Sequence, residues 1–400
     1  MEFRDLIFHP NQFRNKIRDT LRPPKFSFNI IFLFLNNLTW GFASGMIWLF
    51  LPIFLFEKFN YSISKVIIFY LIAAVLYGVL VPVGARIMTK IGLKKSLILA
   101  MPCLAFYYLS LYFFETLGII LFIALALLML TLFRTLYWTP YHVEFAEYGD
   151  SKERGAQIAY LSSLGLIAGV LAPFLAGFII EQLGFPVLFI MAIILVFLSI
   201  LPLYFLTPVK EEYSFSYLQT FKELFSKKNW RIFVGYGSDG AQGIVAIVIW
   251  PIFIFGILNE SYVTVGGISA AIILAGILLR IIMGRLAEVR RQRKLFKLGS
   301  VFYSLGWILK MYVQTSFQIF IIGTYHSFAG VLRGIPLTAF LYEQMVDRGH
   351  YIDEYTVLRE VSINVGQVLM LIACLILLNF VGFTWTFVLA AIASLLVRVL

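Results

Sequence analysis

Cysteine is nearly absent. The 400 residues hold two, Cys103 and Cys374, both inside apolar stretches and far apart in sequence. That excludes a disulfide framework and any cysteine-based metal site. Histidine is almost as scarce, and His9, His142, His326 and His350 form no H-E-x-x-H or comparable cluster, so no metal and no cofactor is expected and an intramembrane enzyme is the least favoured class. Charge is sparse too, at 13% against the roughly 25% usual in soluble domains. What charge there is leans basic, with 32 Lys and Arg against 21 Asp and Glu.

What remains is apolar. Hydrophobic residues make up 61% of the chain and the mean hydropathy is +0.90, far more apolar surface than a soluble fold of this length could hide. Forty Phe and twenty-one Tyr are read first as lipid-facing filler and only second as the lining of a greasy cavity. A helix needs about 20 apolar residues to cross a bilayer. Stretches of that kind fall near 29–56, 64–87, 96–114, 118–141, 155–180, 185–206, 231–257, 262–286, 296–314, 317–341, 355–379 and 383–400. The expectation is an all-α integral membrane protein of twelve transmembrane helices.

The chain also repeats itself at a shift of 199 residues, from Pro52 to Pro251. Asn60 matches Asn259 at the same shift, Lys95 matches Lys294, Arg134 matches Arg333 and Glu144 matches Glu343. Two pseudo-symmetric six-helix halves follow, 29–206 and 231–400. They are preceded by a segment at 1–28 and joined by a linker at 207–230. Most Lys and Arg fall before residue 26, in 86–95, at 152–154, in 210–231 and in 285–297, all on one side of such a bundle. The positive-inside rule then makes both termini and the linker cytoplasmic in a multi-pass protein of the cell membrane. The net charge of +11 reads as topology and attraction to anionic lipid, with no nucleic-acid partner. Phe13, Ile17 and Leu21 suggest a short in-plane helix before Pro23, and Leu218, Phe221, Leu224 and Phe225 suggest a second one within the linker. No appended soluble domain that would suit a receptor is evident, and a monomer is expected.

Two cytoplasmic turns carry a motif. The first reads ARIMTKIGLKK from Ala85 and the second GRLAEVRRQRK from Gly284. Both resemble the loop signature of the major facilitator superfamily, roughly G-x-L-a-D-r-x-G-r-k. In the first copy Ala85 is the small residue, Thr89 replaces the Asp, and Lys90, Gly92 and Lys94 match. In the second Gly284 and Glu288 match, while Arg291 stands where a Gly would be. The stretch Leu132 to Gly155 resembles the same family, in which an Arg of the fourth span takes part in coupling; that Arg is Arg134 here. On the fifth span Gly165, Gly169, Pro173 and Gly177 recur every fourth residue. Close helix packing explains that stripe, and it partly resembles the antiporter signature of family exporters. Gly169 and Gly284 are expected at tight contacts, and Gly382 in an open turn that would accept a Leu.

The resemblance implies that spans 1, 4, 7 and 10 line a central cavity. Polar side chains inside hydrocarbon cost a few kcal/mol and tend to face such a cavity. They are Asn36, Asn37 and Trp40 on the first, Arg134, Tyr137, Trp138 and Tyr141 on the fourth, Asp239, Gln242 and Trp250 on the seventh, and His326 and Arg333 on the tenth. Glu360, Asn364 and Gln367 form a further stripe on the eleventh. Arg134, Tyr137, Trp138 and Tyr141, spaced i, i+3, i+4 and i+7, share one helix face, as do His326 and Arg333, seven apart, and the stripe on the eleventh. Asp239, with Glu360 second, is the candidate to carry a proton, the alternative being simple pairing with an Arg. The side of the bundle opposite the termini holds Lys58, Lys65 and, if its span ends early, Lys310. The function implied is a secondary transporter moving a small organic solute by alternating access, proton-coupled and with efflux favoured. An organic-anion uptake or exchange carrier and a lipid flippase stay open. The anion reading needs Arg134 and Arg333 to be free of acidic partners.

Overall fold

The computed structural model of the chain describes residues 26–148, 154–208, 213–284, 292–346 and 352–400, and every regular element among them is helical. In chain order these are α1 (Phe28–Trp48), α2 (Leu51–Lys58), α3 (Ile63–Ile91), α4 (Leu93–Tyr112), the single turn α5 (Phe114–Leu117), α6 (Ile119–Tyr148), α7 (Arg154–Leu198), α8 (Ile200–Leu203) and α9 (Tyr217–Leu224). There follow α10 (Trp230–Ile244), α11 (Trp250–Ile257), α12 (Tyr262–Gly284), α13 (Gln292–Lys310), α14 (Ser316–Val346), α15 (Ile352–Phe380) and α16 (Thr386–Leu396). Among the described residues eight stretches are long and apolar enough to cross a membrane. The helices α13 and α14 are not among them, because Arg293, Lys294, Lys297 and Lys310 in one and His326 and Arg333 in the other lower their hydropathy.

One of the eight, Ala168–Leu203, is two passes rather than one. At Gly184 φ is 81°, a left-handed conformation that breaks the helix. The neighbours give the direction. Along α1 and α2, Gly45 faces Ala172 and Phe50 faces Gly177, so the first part of α7 runs parallel to them. Beyond Gly184 the order reverses, with Phe54 against Phe185 and Phe189 and Asn36 bonded to the Ser199 carbonyl.

The sequence repeat has a counterpart in the backbone. Pro52 opens α2 and Pro251 opens α11, each in the first turn, where a missing N–H costs nothing. Each helix then ends in a turn with two successive non-glycine residues at positive φ, Asn60 and Tyr61 (56° and 57°) and Asn259 and Glu260 (53° and 59°). A π-helical stretch, Val245–Ile249, joins α10 to α11.

Close backbone contacts fix the helix pairs. A Cβ at Gly366 would strike the Gly237 carbonyl and one at Gly240 the Ile363 carbonyl, so α10 and α15 touch main chain to main chain. The same holds where Gly177 meets Tyr262 and Gly266 meets Pro173, between α7 and α12. Pro173 and Gly177 of the expected packing stripe therefore make contacts. Gly165 and Gly169 do not: among the described residues nothing lies within 4 Å of a Cβ placed there. The expectation for Gly382 also needs correcting, because its φ is 93° and a Leu would be strained despite the open space. The tight contact near the first loop motif is made by Gly84 against Thr135, next to the expected Ala85, which is buried beside Val357 and Leu358.

In that loop Gly92, at φ 88°, turns the chain between α3 and α4. The Thr89 hydroxyl donates to the Arg86 carbonyl, Lys90 is exposed, and the Lys94 ammonium donates to the carbonyls of Tyr204 (2.5 Å) and Leu206 (2.9 Å). A cation placed there satisfies the orphan carbonyls of a helix end. In the second copy Gly284 closes α12, and Glu288 and Arg291 lie outside the described residues, as does the helix expected around Phe13. The short helix expected in the linker is α9, capped by Ser216 and Gln219; it buries Leu224 and leaves Leu218 exposed. Ser214, just before it, bonds Glu354 of α15.

Adding one methyl group separates contact from space. Gly366→Ala is expected to destabilise the protein by about 1–3 kcal/mol through overpacking. Gly256→Ala, with open space at its Cβ, is expected to be neutral or to gain up to ~1 kcal/mol of helix propensity. Thermal unfolding in detergent checks both, and equal behaviour would remove the α10–α15 contact.

Candidate functional site

The polar residues of α1 and α6 form one cluster. Trp40 Nε1 donates to the Tyr137 hydroxyl at 2.5 Å, Tyr137 donates to Asn36 Oδ1 at 3.3 Å, and Asn37 bonds Tyr141. Trp40 meets Tyr137 and Trp138 edge-on, at 4.8 and 5.8 Å between ring centroids. The face shared by Arg134, Tyr137, Trp138 and Tyr141 thus packs against the polar face of α1.

Arg134 points the other way along that face, toward α15. Its guanidinium donates to Asn364 Oδ1 at 3.3 Å and stacks over the Tyr77 ring, 4.1 Å from the centroid. The Tyr77 hydroxyl in turn donates to Glu360 Oε2 at 3.2 Å. Glu360 also accepts from the Arg359 guanidinium at 2.6 Å, and His142 Nε2 lies 4.0 Å away. Bonds to α15 therefore reach helices early in the chain, α3 and α6. Gln367 is buried two turns beyond Glu360 on the same helix.

A second group of bonds joins early and late helices at the Asn60 and Asn259 end. Tyr262 bonds Glu57, and the Glu181 carboxylate accepts from Val263 N (2.9 Å) and Ser261 Oγ (3.2 Å) at the start of α12, where a helix N-terminus favours an anion.

Asp239 is ion-paired with Arg333, and Gln242 donates to its Oδ1 at 3.1 Å. The close approach of α10 to α15 sets this part of α10. Arg333 lies over the Tyr303 ring at 4.6 Å, and His326, seven residues earlier on α14, meets the same ring edge-on at 3.9 Å. Two cavities flank Tyr303. One of 300 Å³ is lined by Tyr236, Asp239, Arg333 and Arg359 among others, and one of 330 Å³ by Trp250, Lys310, His326 and Ser327. Both touch Tyr303 and Gly330.

Lys310, at the end of α13, is 6% exposed, its ammonium over the rings of Trp250 (4.2 Å) and Trp307 (4.1 Å). The condition set for the two arginines fails for Arg333, which Asp239 neutralises, while Arg134 is held by Asn364 and Tyr77. Sequence reasoning passed over Lys310, Tyr303, Tyr77 and Arg359. A signal for the first two was present, since Tyr303, Trp307 and Lys310 are spaced i, i+4, i+7 on one face of α13.

Residues 33–238, more than half of the chain, match the family described as Major Facilitator Superfamily, so the chain belongs to that family of multi-pass membrane transporters. The uncharacterized protein YqgE of Bacillus subtilis (strain 168) is 22% identical over 252 residues, which cover 60% of this chain and 58% of that relative's length. The human organic anion transporter MFSD10 (TETRAN) superposes with a TM-score of 0.68 over 93% of this chain and 98% of its own, at 12% identity, a likeness of fold.

Breaking the Asp239–Arg333 pair from one side leaves a charge buried in the bundle. Asp239→Asn is expected to destabilise by on the order of 2–3 kcal/mol, below the ~3–5 of a fully buried pair because Asp239 keeps 26% of its side chain exposed. The double variant with Arg333→Gln should recover most of that loss. Melting curves of the single and double variants decide it, and additive losses would show that the two side chains do not interact.

Proposed function

We propose that the protein is a proton-coupled secondary transporter of a small organic solute that works by alternating access in the cell membrane. Two six-helix halves, 29–206 and 231–400, rock about a central site; both termini and the 207–230 linker are cytoplasmic, and the working unit is a monomer. The resemblance of the fifth-span stripe to the antiporter signature favours efflux in exchange for protons.

The observation that carries this reading is that polar bonds link the two halves at two separate levels. Glu57 and Glu181 meet the start of α12 at one end, and Tyr77 and Arg134 meet Glu360 and Asn364 nearer the other. Bonds of this kind can be exchanged one level at a time, which is what alternating access requires. Glu360 takes the coupling role ahead of Asp239. Its carboxylate bonds both across the halves and to Arg359, so adding a proton there weakens both attachments together, whereas Asp239 pairs within its own half.

In proteoliposomes Glu360→Gln is expected to lose accumulation driven by a pH gradient, by about tenfold or more, while keeping solute exchange; the step lost is protonation, not binding. Accumulation at the parental level with unchanged pH dependence would sink the assignment. Orientation is checked separately. Cysteines introduced at Asn60 or Asn259 should react with an impermeant thiol reagent from outside, and one at Lys95 only from inside. Labelling of all three from one side would overturn the topology.

A further inference from the structure

The 330 Å³ cavity is bordered by the buried amine of Lys310, which among the described residues has no carboxylate partner. We infer that this cavity binds the anionic group of a small organic monoanion, with the Lys310 ammonium as its counter-ion. This deepens the transporter reading and rests on it, in that the cavity then belongs to the substrate's path.

Lys310 is the last residue of α13, and a lysine at a helix end ordinarily extends along the apolar surface until its ammonium reaches water. Here the stem turns inward. Among the described residues no carboxylate lies within ion-pair distance of its ammonium; the acids of the neighbouring cavity are engaged by Arg333 and Arg359. Two tryptophan faces stabilise the charge, each by about 0.5–2 kcal/mol. Removing an ammonium from water costs several kcal/mol, so that stabilisation leaves a deficit. A buried amine meets that deficit by releasing its proton or by taking a counter-ion, and a diffusible anion supplies the second.

The remaining lining agrees with an anion. His326 is 5% exposed and neither ring nitrogen has a hydrogen-bond partner, so whichever carries the proton is an unused donor beside the cavity. Ser327 adds a hydroxyl, and no Asp or Glu lines this space. Its volume falls within the range of small-molecule sites and far exceeds a bare inorganic ion. Trp250, Tyr303, Ile272 and Val331 give it walls for a flat apolar body, and the second cavity continues past Tyr303. One unbalanced positive charge calls for one negative charge on the ligand.

The test is a tryptophan-fluorescence titration of the full chain in detergent, since Trp250 and Trp307 border the ammonium. Benzoate serves as the probe, benzamide as its neutral isostere, benzylamine as the cation and chloride as the inorganic anion. Benzoate should bind roughly thirtyfold or more tighter than benzamide, the ratio expected when a buried charge loses its partner. Benzylamine should not compete. Lys310→Met, which keeps the stem and removes the charge, should abolish the preference, and Lys310→Arg should retain it. Equal binding of benzoate and benzamide by the unaltered protein overturns the inference without recourse to any variant, and so does a preference that survives Lys310→Met. Chloride displacing benzoate at equal concentration would make this an inorganic-anion site and overturn the organic assignment. Because the titration uses no gradient, a chain that accumulates solute yet ignores benzoate loses only this inference, and one that binds benzoate through Lys310 but carries nothing loses only the transporter reading.

Discussion

Among the described residues, Arg134, Asp239, Lys310, Arg333, Arg359 and Glu360 can carry charge and lie within a bundle whose outer surface is hydrocarbon-like. Each must find compensation within reach, and that requirement decides which helices face one another. Asp239 and Arg333 tie α10 to α14; Arg134 and Asn364 tie α6 to α15; Tyr77 and Glu360 tie α3 to α15. The apolar core supplies most of the packing, but it has no direction. The polar bonds select one arrangement among the many that would bury Phe and Leu equally well.

Those bonds need helices held closer than side chains normally allow. The segment Gly235–Gly243 of α10 has a glycine at every second or third position, which makes it a poor helix in isolation. It persists because Gly237 and Gly240 let the α15 backbone approach. The helix then departs from α geometry at Val245–Ile249, immediately after Asp239 and Gln242. A π-stretch of this sort often marks a functional element, since its hydrogen bonds are easily rearranged. Asp239 thus sits on a helix that is held against α15 by backbone contact on both sides of it, at Gly237 and Gly240.

Much of this was legible in the sequence, for physical reasons that can be named. Helix positions followed from apolar runs because hydrocarbon thickness leaves little freedom, and the faces of α6 and α14 followed from helical spacing. The internal repeat at Pro52 and Pro251 survives as a shared turn geometry. What stayed hidden depends on helix rotation and on partners distant in sequence. Spacing alone does not separate Gly165 and Gly169, which meet open space, from Gly177, which meets Tyr262. Lys310 stands at the end of its span, which is also where a lysine would reach water. Only the two tryptophans above its ammonium show that it turned inward.

That reversal changes which charges are available to a solute. A pair of arginines in the middle of the bundle first suggests an anion site, yet an arginine already bonded to Asp239 or to Asn364 offers little to a ligand without giving up its own compensation. Releasing Arg333 would strand Asp239, and releasing Arg134 would break the bond that ties α6 to α15. Lys310 has no such obligation. Among the described residues its ammonium meets the faces of Trp250 and Trp307 and no carboxylate, and that attraction is weaker than an ion pair. The arginines therefore hold neighbouring helices together, and Lys310 is a buried cation whose described contacts are aromatic faces.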